Sequence, residues 1–209
     1  MLLQFNNLVS KYNIQSDGVI VVGAHWAEEH ADYVAAGIKR FVYIEPCAAA
    51  FNVLINKFAA HHHVQLFNVA CGDVECEQVM YTGSQNEGQS NSLLKMGKHT
   101  QIHPGITLPN TEIVTVKRLD NLGLAHKGYQ LLVMDCQGFE GRVLKGATET
   151  LKQVNYVYTE VNKDEVYQGC TLVDELDELL HEFNRVETGS WVGGMWSDAL
   201  YIRKTSIDD

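Results

Sequence analysis

The chain has 209 residues, 45% of them hydrophobic, and a formal net charge of -10. That length holds one α/β domain with a buried core, and no apolar run is long enough to span a bilayer. The acidic balance repels phosphate backbones, which argues against nucleic acid as a partner.

Five cysteines (Cys47, Cys71, Cys76, Cys136 and Cys170) are scattered without a Cys-x-x-Cys pair. They read as reduced packing residues. The opening Met1 to Asn7 has neither a basic region nor a cleavage site, so a cytoplasmic protein with no membrane partner is expected.

A helix is expected over 2–13 and an apolar strand over 19–22, ending in Gly23-Ala24-His25. A helix over 28–36 leads to a strand over 41–45, closed by Glu45-Pro46. Phe51, Leu54, Ile55 and Phe58 recur at i, i+3, i+4 and i+7 and predict a helix over 48–60. A third strand, 64–69, runs into Ala70-Cys71-Gly72-Asp73, and a short strand follows at 79–82.

Residues 83–110 are rich in Gly, Ser, Asn, Gln and His. So long a polar segment is expected to be a lid or acceptor-binding loop, with a plain surface loop as the alternative. Order resumes over 112–118. A strand over 131–134 ends in Asp135, a helix covers 141–154, and a strand over 156–159 ends in Glu160. A helix over 172–183 and a strand over 196–203 complete the chain. Alternating strands and helices predict one α/β domain, 1–209, around a mostly parallel, doubly wound sheet.

In such sheets ligands bind beyond the carboxyl ends of the strands. Those ends supply the Gly23 turn, Glu45, Asp73, Asp135 and Glu160. Glu45 is placed to accept hydrogen bonds from two ribose hydroxyls, while Gly23 and Ala24 let the backbone approach a cofactor. A dinucleotide site needs Gly-x-Gly-x-x-Gly to meet a pyrophosphate. Here Ala24, His25, Trp26 and Ala27 follow Gly23. S-adenosylmethionine has no phosphate, and its cationic end suits a carboxylate-rich pocket. The sequence therefore favours it over a nicotinamide cofactor.

Four blocks resemble the FkbM family of S-adenosylmethionine-dependent methyltransferases. Val21-Val22-Gly23-Ala24-His25 is similar to that family's Asp-Val-Gly-Ala-Asn, and Ile44-Glu45-Pro46 to its Phe-Glu-Pro. Asn68-Val69-Ala70-Cys71-Gly72-Asp73 is similar to Asn-x-Ala-Leu-Gly-Asp. Asp135-Cys136-Gln137-Gly138-Phe139-Glu140 with Val143-Leu144-Lys145-Gly146-Ala147 is similar to Asp-Val-Glu-Gly-x-Glu and Val-Leu-x-Gly-Ala. Val21 departs from the family's Asp, His25 from its Asn, Ala27 from a Gly and Val133 from a Lys. The resemblance implies a class I methyltransferase fold, a Rossmann-like three-layer sandwich. It also implies O-methyl transfer, often to sugars or glycosylated metabolites.

The candidate cofactor residues are Gly23, Ala24, His25, Glu45, Pro46, Asp73 and Asp135. Ser92 joins them because Ser90-Asn91-Ser92-Leu93 resembles a Ser-Ser-Leu element of the family. His25 lines the amino-acid end of the cofactor or simply fills the turn. Asp135, Glu160 and Glu140 are the candidate catalytic residues. Asp135 is expected to orient the acceptor hydroxyl, contact the methionine amine or hold a metal. Asp135 and Glu160 together would hold Mg²⁺ if the reaction needs one; the plainer reading is two solvated carboxylates. Glu140, at a helix start, is favoured there by the helix dipole alone.

His61-His62-His63 reads as a capping tract rather than a metal site. His99 and His103 are candidate general bases, and Trp191 and Trp196 either stack on an acceptor or pack in the core. The expected function is O-methylation of a sugar or glycan hydroxyl, with a small-molecule or glycan acceptor as the partner. The rivals are a nicotinamide-dependent oxidoreductase and a cofactor-binding scaffold module of a glycan-modifying protein. Oligomeric state is left open.

Overall fold

The structure is a computed structural model describing residues 2–124 and 128–204. The first half runs α1 (Phe5–Tyr12), β1 (Gly18–Val22), α2 (His30–Ala35), β2 (Arg40–Ile44), α3 (Ala48–Phe58), β3 (Val64–Phe67), β4 (Ala70–Cys71) and β5 (Cys76–Thr82). After a short 3-10 turn, Gln85–Gly88, come α4 (His99–Ile102), β6 (Asn110–Lys117) and β7 (Leu131–Met134). Then follow α5 (Glu140–Lys145), α6 (Thr148–Leu151), β8 (Tyr156–Asn162), α7 (Val173–Leu179), β9 (Phe183–Thr188) and β10 (Trp196–Arg203).

The main sheet has the order β3-β2-β1-β7-β8-β10-β9. Its first five strands are parallel, and β10 pairs antiparallel with β8 and β9. The chain winds outward from β1 through β2 to β3, then resumes at β7 on the other side of β1. The switch point therefore lies between the carboxyl ends of β1 and β7, where open α/β sheets bind ligands.

Strand alternation builds the layers on the two faces. Val19, Val21, Phe41, Tyr43, Leu131 and Val133 pack with Phe5, Leu8, Tyr33, Leu54 and Phe58 of α1 to α3. Ile20, Val22, Val42, Ile44, Leu132 and Met134 face the other way, onto Val143, Leu144, Val173 and Leu176 of α5 and α7. Both faces of the central strands are buried, as helix-covered parallel sheets require. The result is the expected α/β three-layer sandwich.

Several elements differ from the sequence expectations. β4, β6 and β5 form a separate three-stranded sheet, packed through Ala70, Met80, Val114 and Val116 against Cys47, Ala50, Leu93 and Phe139. The helix expected over 141–154 breaks into α5 and α6. A Cβ on Gly146 would lie 2.0 Å from the Gly72 carbonyl oxygen, and the Asp120 carboxylate accepts from the Thr150 backbone N–H at 2.8 Å, capping the new start. The helix expected over 172–183 ends at Leu179, and β9 takes its last residue. β8 runs on to Asn162 because β10 pairs with it there, so Glu160 lies inside a strand rather than after it. No described helix is long and apolar enough to cross a membrane.

Candidate functional site

The turn after β1 is fixed by close backbone approach. Gly23 and Ala24 both donate backbone N–H to the Ile44 carbonyl, at 3.0 and 3.1 Å. Gly23 has φ +78, and a Cβ there would lie 1.9 Å from the Asp135 carbonyl oxygen. Only glycine brings the two strand ends this close. His25 and Ala27 also adopt positive φ, at 44 and 51, a strained conformation of the kind found at functional turns. Lys57 of α3 holds that turn, donating to the Trp26 and Ala27 carbonyls at 2.8 and 2.7 Å.

Glu45 closes β2 directly opposite this turn. Its Oε2 accepts the His25 backbone N–H and its Oε1 the Cys47 backbone N–H, both at 2.8 Å. Asn68 pins the same corner by donating to the Glu45 and Pro46 carbonyls. Burial pushes the Glu45 carboxyl up to about 7, against the two backbone bonds that favour its ionised form. Each oxygen keeps a lone pair for a further donor.

His25 links this turn to the polar segment. Its Nδ1 lies 2.6 Å from Glu28 Oε1 and its Nε2 3.0 Å from the Glu87 carbonyl. Both partners are acceptors, so the surroundings favour the doubly protonated ring. Burial opposes that charge, but Glu28 and the Glu87 carbonyl raise the pKa above its ordinary value.

Asp135 and Glu160 are brought together, and Gln137 stands between them. The Gln137 amide donates to Asp135 Oδ1 at 2.6 Å and to Glu160 Oε2 at 3.4 Å. Its carbonyl oxygen accepts from the Tyr167 hydroxyl at 2.6 Å. Gln137 sits at φ +51, and the Ser92 hydroxyl donates to its backbone carbonyl at 2.8 Å. Burial raises the pKa of Asp135; Glu160 is pushed well above the carboxylate range by burial and then by Asp135. Amide donors from Gln137 and Asn162 take Asp135 Oδ1 and both Glu160 oxygens, and among the described residues no group of three metal-ligating side chains forms. The pair does not fit a metal site.

Glu140 lies behind this pair, fully buried and away from the cavity. Its Oε1 accepts backbone N–H from Cys136 and Gly138, at 2.8 and 3.3 Å, so it holds the turn that presents Gln137. Its Oε2 has no partner, and burial pushes its carboxyl up to about 7.

These ends open into a cavity of about 990 Å³ between the main sheet, the small sheet and residues 82–110. That volume matches the upper range of ligand pockets. Of the sequence candidates, Gly23, Ala24, His25, Glu45, Pro46, Ser92, Asp135 and Glu160 line it, as do His99, His103 and Trp196. Asp73, Glu140 and Trp191 do not. The Asp73 carbonyl accepts from Arg118 at 2.9 Å, and the Lys163 ammonium sits 4.0 Å over the Trp191 ring. His61, His62 and His63 are exposed between α3 and β3, at the amino end of β3 and away from the carboxyl ends that face the cavity.

Sequence reasoning missed Gln137, Tyr167 and Glu112 as wall residues. Gln137 stood in a recognised block without a role assigned to it. Tyr167 and Glu112 carry no local signal, because their contacts are long-range. Glu112 Oε1 accepts the Ala48 backbone N–H at 3.1 Å and caps α3 from another element.

Charge distinguishes this cavity. Glu28, Glu29, Glu45, Glu87, Glu112, Asp135 and Glu160 line it, and no Lys or Arg among the described residues does. Such a wall attracts a cation and repels a pyrophosphate. Burial and then His103 lower the His99 pKa to about 4, so that ring is neutral near pH 7.

The sequence model of the Methyltransferase FkbM domain matches residues 21–186. The 2-O-methyltransferase NoeI of Sinorhizobium fredii is 28% identical over 154 residues, covering 69% of this chain and 61% of that protein. The chain thus spans about three fifths of that curated relative's length. A methylase of Haemophilus influenzae superposes with TM-score 0.54 at 9% identity, covering 97% of this chain and 90% of that one. Magnesium protoporphyrin IX methyltransferase of Synechocystis, solved with bound S-adenosylmethionine, superposes with TM-score 0.51 at 9% identity, covering 94% and 74%. These likenesses identify the fold as that of class I methyltransferases.

Proposed function

We propose that this chain, which belongs to the FkbM methyltransferase family, transfers a methyl group from S-adenosylmethionine to a hydroxyl of a sugar or glycan. The observation that carries the cofactor reading is Glu45. Two backbone N–H groups aim its carboxylate across from the Gly23 turn, at the switch point of the sheet. That is the arrangement a ribose diol needs. The cradle at Gly23 and the acidic walls also fit a phosphate-free, cationic ligand. Glu45 and Pro46 would hold the ribose, and Gly23, Ala24 and His25 the amino-acid portion.

S-adenosylmethionine supplies an electrophilic methyl group whose departure leaves a neutral thioether. The protein's own work is to align an acceptor oxygen and to take its proton. Asp135, at the switch point, is placed to orient the hydroxyl. A carboxylate with a raised pKa is a stronger base than an ordinary one, and Glu160 is the second acceptor on the same wall. Gln137 fixes both carboxylates in direction, and Glu140 supports Gln137 through its turn. Residues 83–110 form the wall over these ends and act as the acceptor-side lid.

A hydroxyl acceptor is supported by the name of the curated relative, a 2-O-methyltransferase, and by a wall of neutral hydrogen-bonding side chains. The test is transfer of labelled methyl from S-adenosylmethionine to a panel of mono- and oligosaccharides, with and without chelator. Labelled sugar at equal rates in both arms is expected. Methylation confined to amine, thiol or nucleic-acid substrates would contradict the proposal.

A further inference from the structure

We infer that the acceptor reaches this site carrying no negative charge, so that methylation acts on a sugar already freed from any phosphorylated carrier. The inference rests on the methyltransferase reading above and specifies its substrate class.

Two independent features of the cavity support it. The first is charge: Glu28, Glu29, Glu87 and Glu112 line the walls beside Glu45, Asp135 and Glu160, whose ionisation burial opposes, and no Lys or Arg among the described residues does. Glu28 and Glu87 are solvent-exposed at its edge, so the repulsion begins outside. Three cations on adjoining segments are already committed. Lys57 bonds the Trp26 and Ala27 carbonyls, Lys98 pairs with Asp164 at 2.6 Å, and Lys163 covers Trp191. The His25 ring, when protonated, is matched by Glu28 at 2.6 Å.

The second feature is the neutrality of the acceptor-side donors. Thr82, Asn86, Ser90, Asn91 and Asn110 line the wall that residues 82–110 form, and each offers uncharged donors or acceptors suited to hydroxyls. His99 is 5% exposed, bonds Ser90 Oγ at 3.3 Å through Nε2, and leaves Nδ1 without a partner. Held uncharged by burial, that ring meets a hydroxyl well and gives a phosphate no counter-charge. A phosphate or carboxylate on the acceptor would lose its water here and find no cation in exchange.

The consequence is an order of reactions. Sugars are commonly activated as phosphate or nucleoside diphosphate esters. A glycosyl transfer or a phosphate-ester hydrolysis must therefore supply this acceptor, and methylation comes after it.

The test compares kcat/KM of the full chain, at fixed ionic strength, for three forms of the same hexoses: methyl glycosides, 1-phosphates and nucleoside diphosphate sugars. The methyl glycosides are expected to lead by at least about tenfold, since like-charge juxtaposition strongly disfavours the esters. Glu87→Lys, at the exposed edge, is expected to narrow that gap. Equal or faster turnover of the phosphorylated forms would overturn this inference while leaving the O-methyltransferase reading intact. Methylation of non-sugar hydroxyls with no sugar turned over would overturn both.

Discussion

Val21 of β1 and Val133 of β7 are register partners on adjacent parallel strands. Both are buried, at 5% and 2% exposure, on the wall of the cavity. They are also the positions where this chain departs from the Asp and Lys of the resembling motifs, so the two departures face each other across one strand pair. An apolar pair stands where a charged pair would. Restoring only the acid, Val21→Asp, buries an unpaired carboxylate and is expected to cost about 3–5 kcal/mol. Adding Val133→Lys should recover at least about 1 kcal/mol as coupling in a double-mutant cycle followed by urea unfolding. Strict additivity would show that the two positions are independent.

Gly23→Ala places a methyl group 1.9 Å from the Asp135 carbonyl oxygen, at φ +78. Bond-angle relaxation cannot absorb that overlap, so the ends of β1 and β7 must separate. Cofactor affinity should fall by more than about tenfold even in conditions where the variant stays folded, because its backbone contacts are displaced. Calorimetric titration beside a thermal melt separates the two effects.

Glu45 makes stability and binding depend on pH in opposite directions. Its carboxyl rises from 4.5 to about 7 in the folded chain, chiefly through burial. Between those values the folded state binds a proton that the unfolded state has released. Its contribution to stability is therefore full below about 4.5 and is lost as pH rises through about 7. Ribose hydroxyls favour the ionised form, so cofactor affinity should rise from pH 6 to pH 8 with release of up to about one proton. Glu45→Gln should flatten both curves. A titration in buffers of different ionisation enthalpy counts the protons.

Gln137→Glu would set a third carboxylate 2.6 Å from Asp135 Oδ1 in place of a donor. The acid limb of the kcat profile should move up by about one unit or more, with activity recovering at higher pH. Gln137→Leu should move it the same way by removing the donor. An even loss across the pH range would assign Gln137 a merely structural role.

Much of this site was legible because its residues sit at strand ends that hydrophobic runs make easy to see. Val19 to Val22 and Leu131 to Met134 are continuous apolar strands, and the residues that follow them meet at the switch point. What the sequence hid depends on distant contacts. β9 begins at Phe183, which reads as the close of the amphipathic helix, and its remaining residues NRVET show no strand signal until β10 pairs with them. The break at Gly146 requires the Gly72 carbonyl, and the Gln137 bridge requires Tyr167, thirty residues on. Asp73 followed an apolar strand as Glu45 did, but its chain turns into the small sheet, and it does not line the cavity.

Calorimetric titration of the wild-type chain and of Glu45→Ala with S-adenosylmethionine addresses the central claim most directly. One-site binding by the wild type, weakened at least about tenfold in the folded variant, is the predicted result, in line with loss of a charged hydrogen-bonding partner. Equal affinity in the two proteins, or no heat from the wild type, would contradict it.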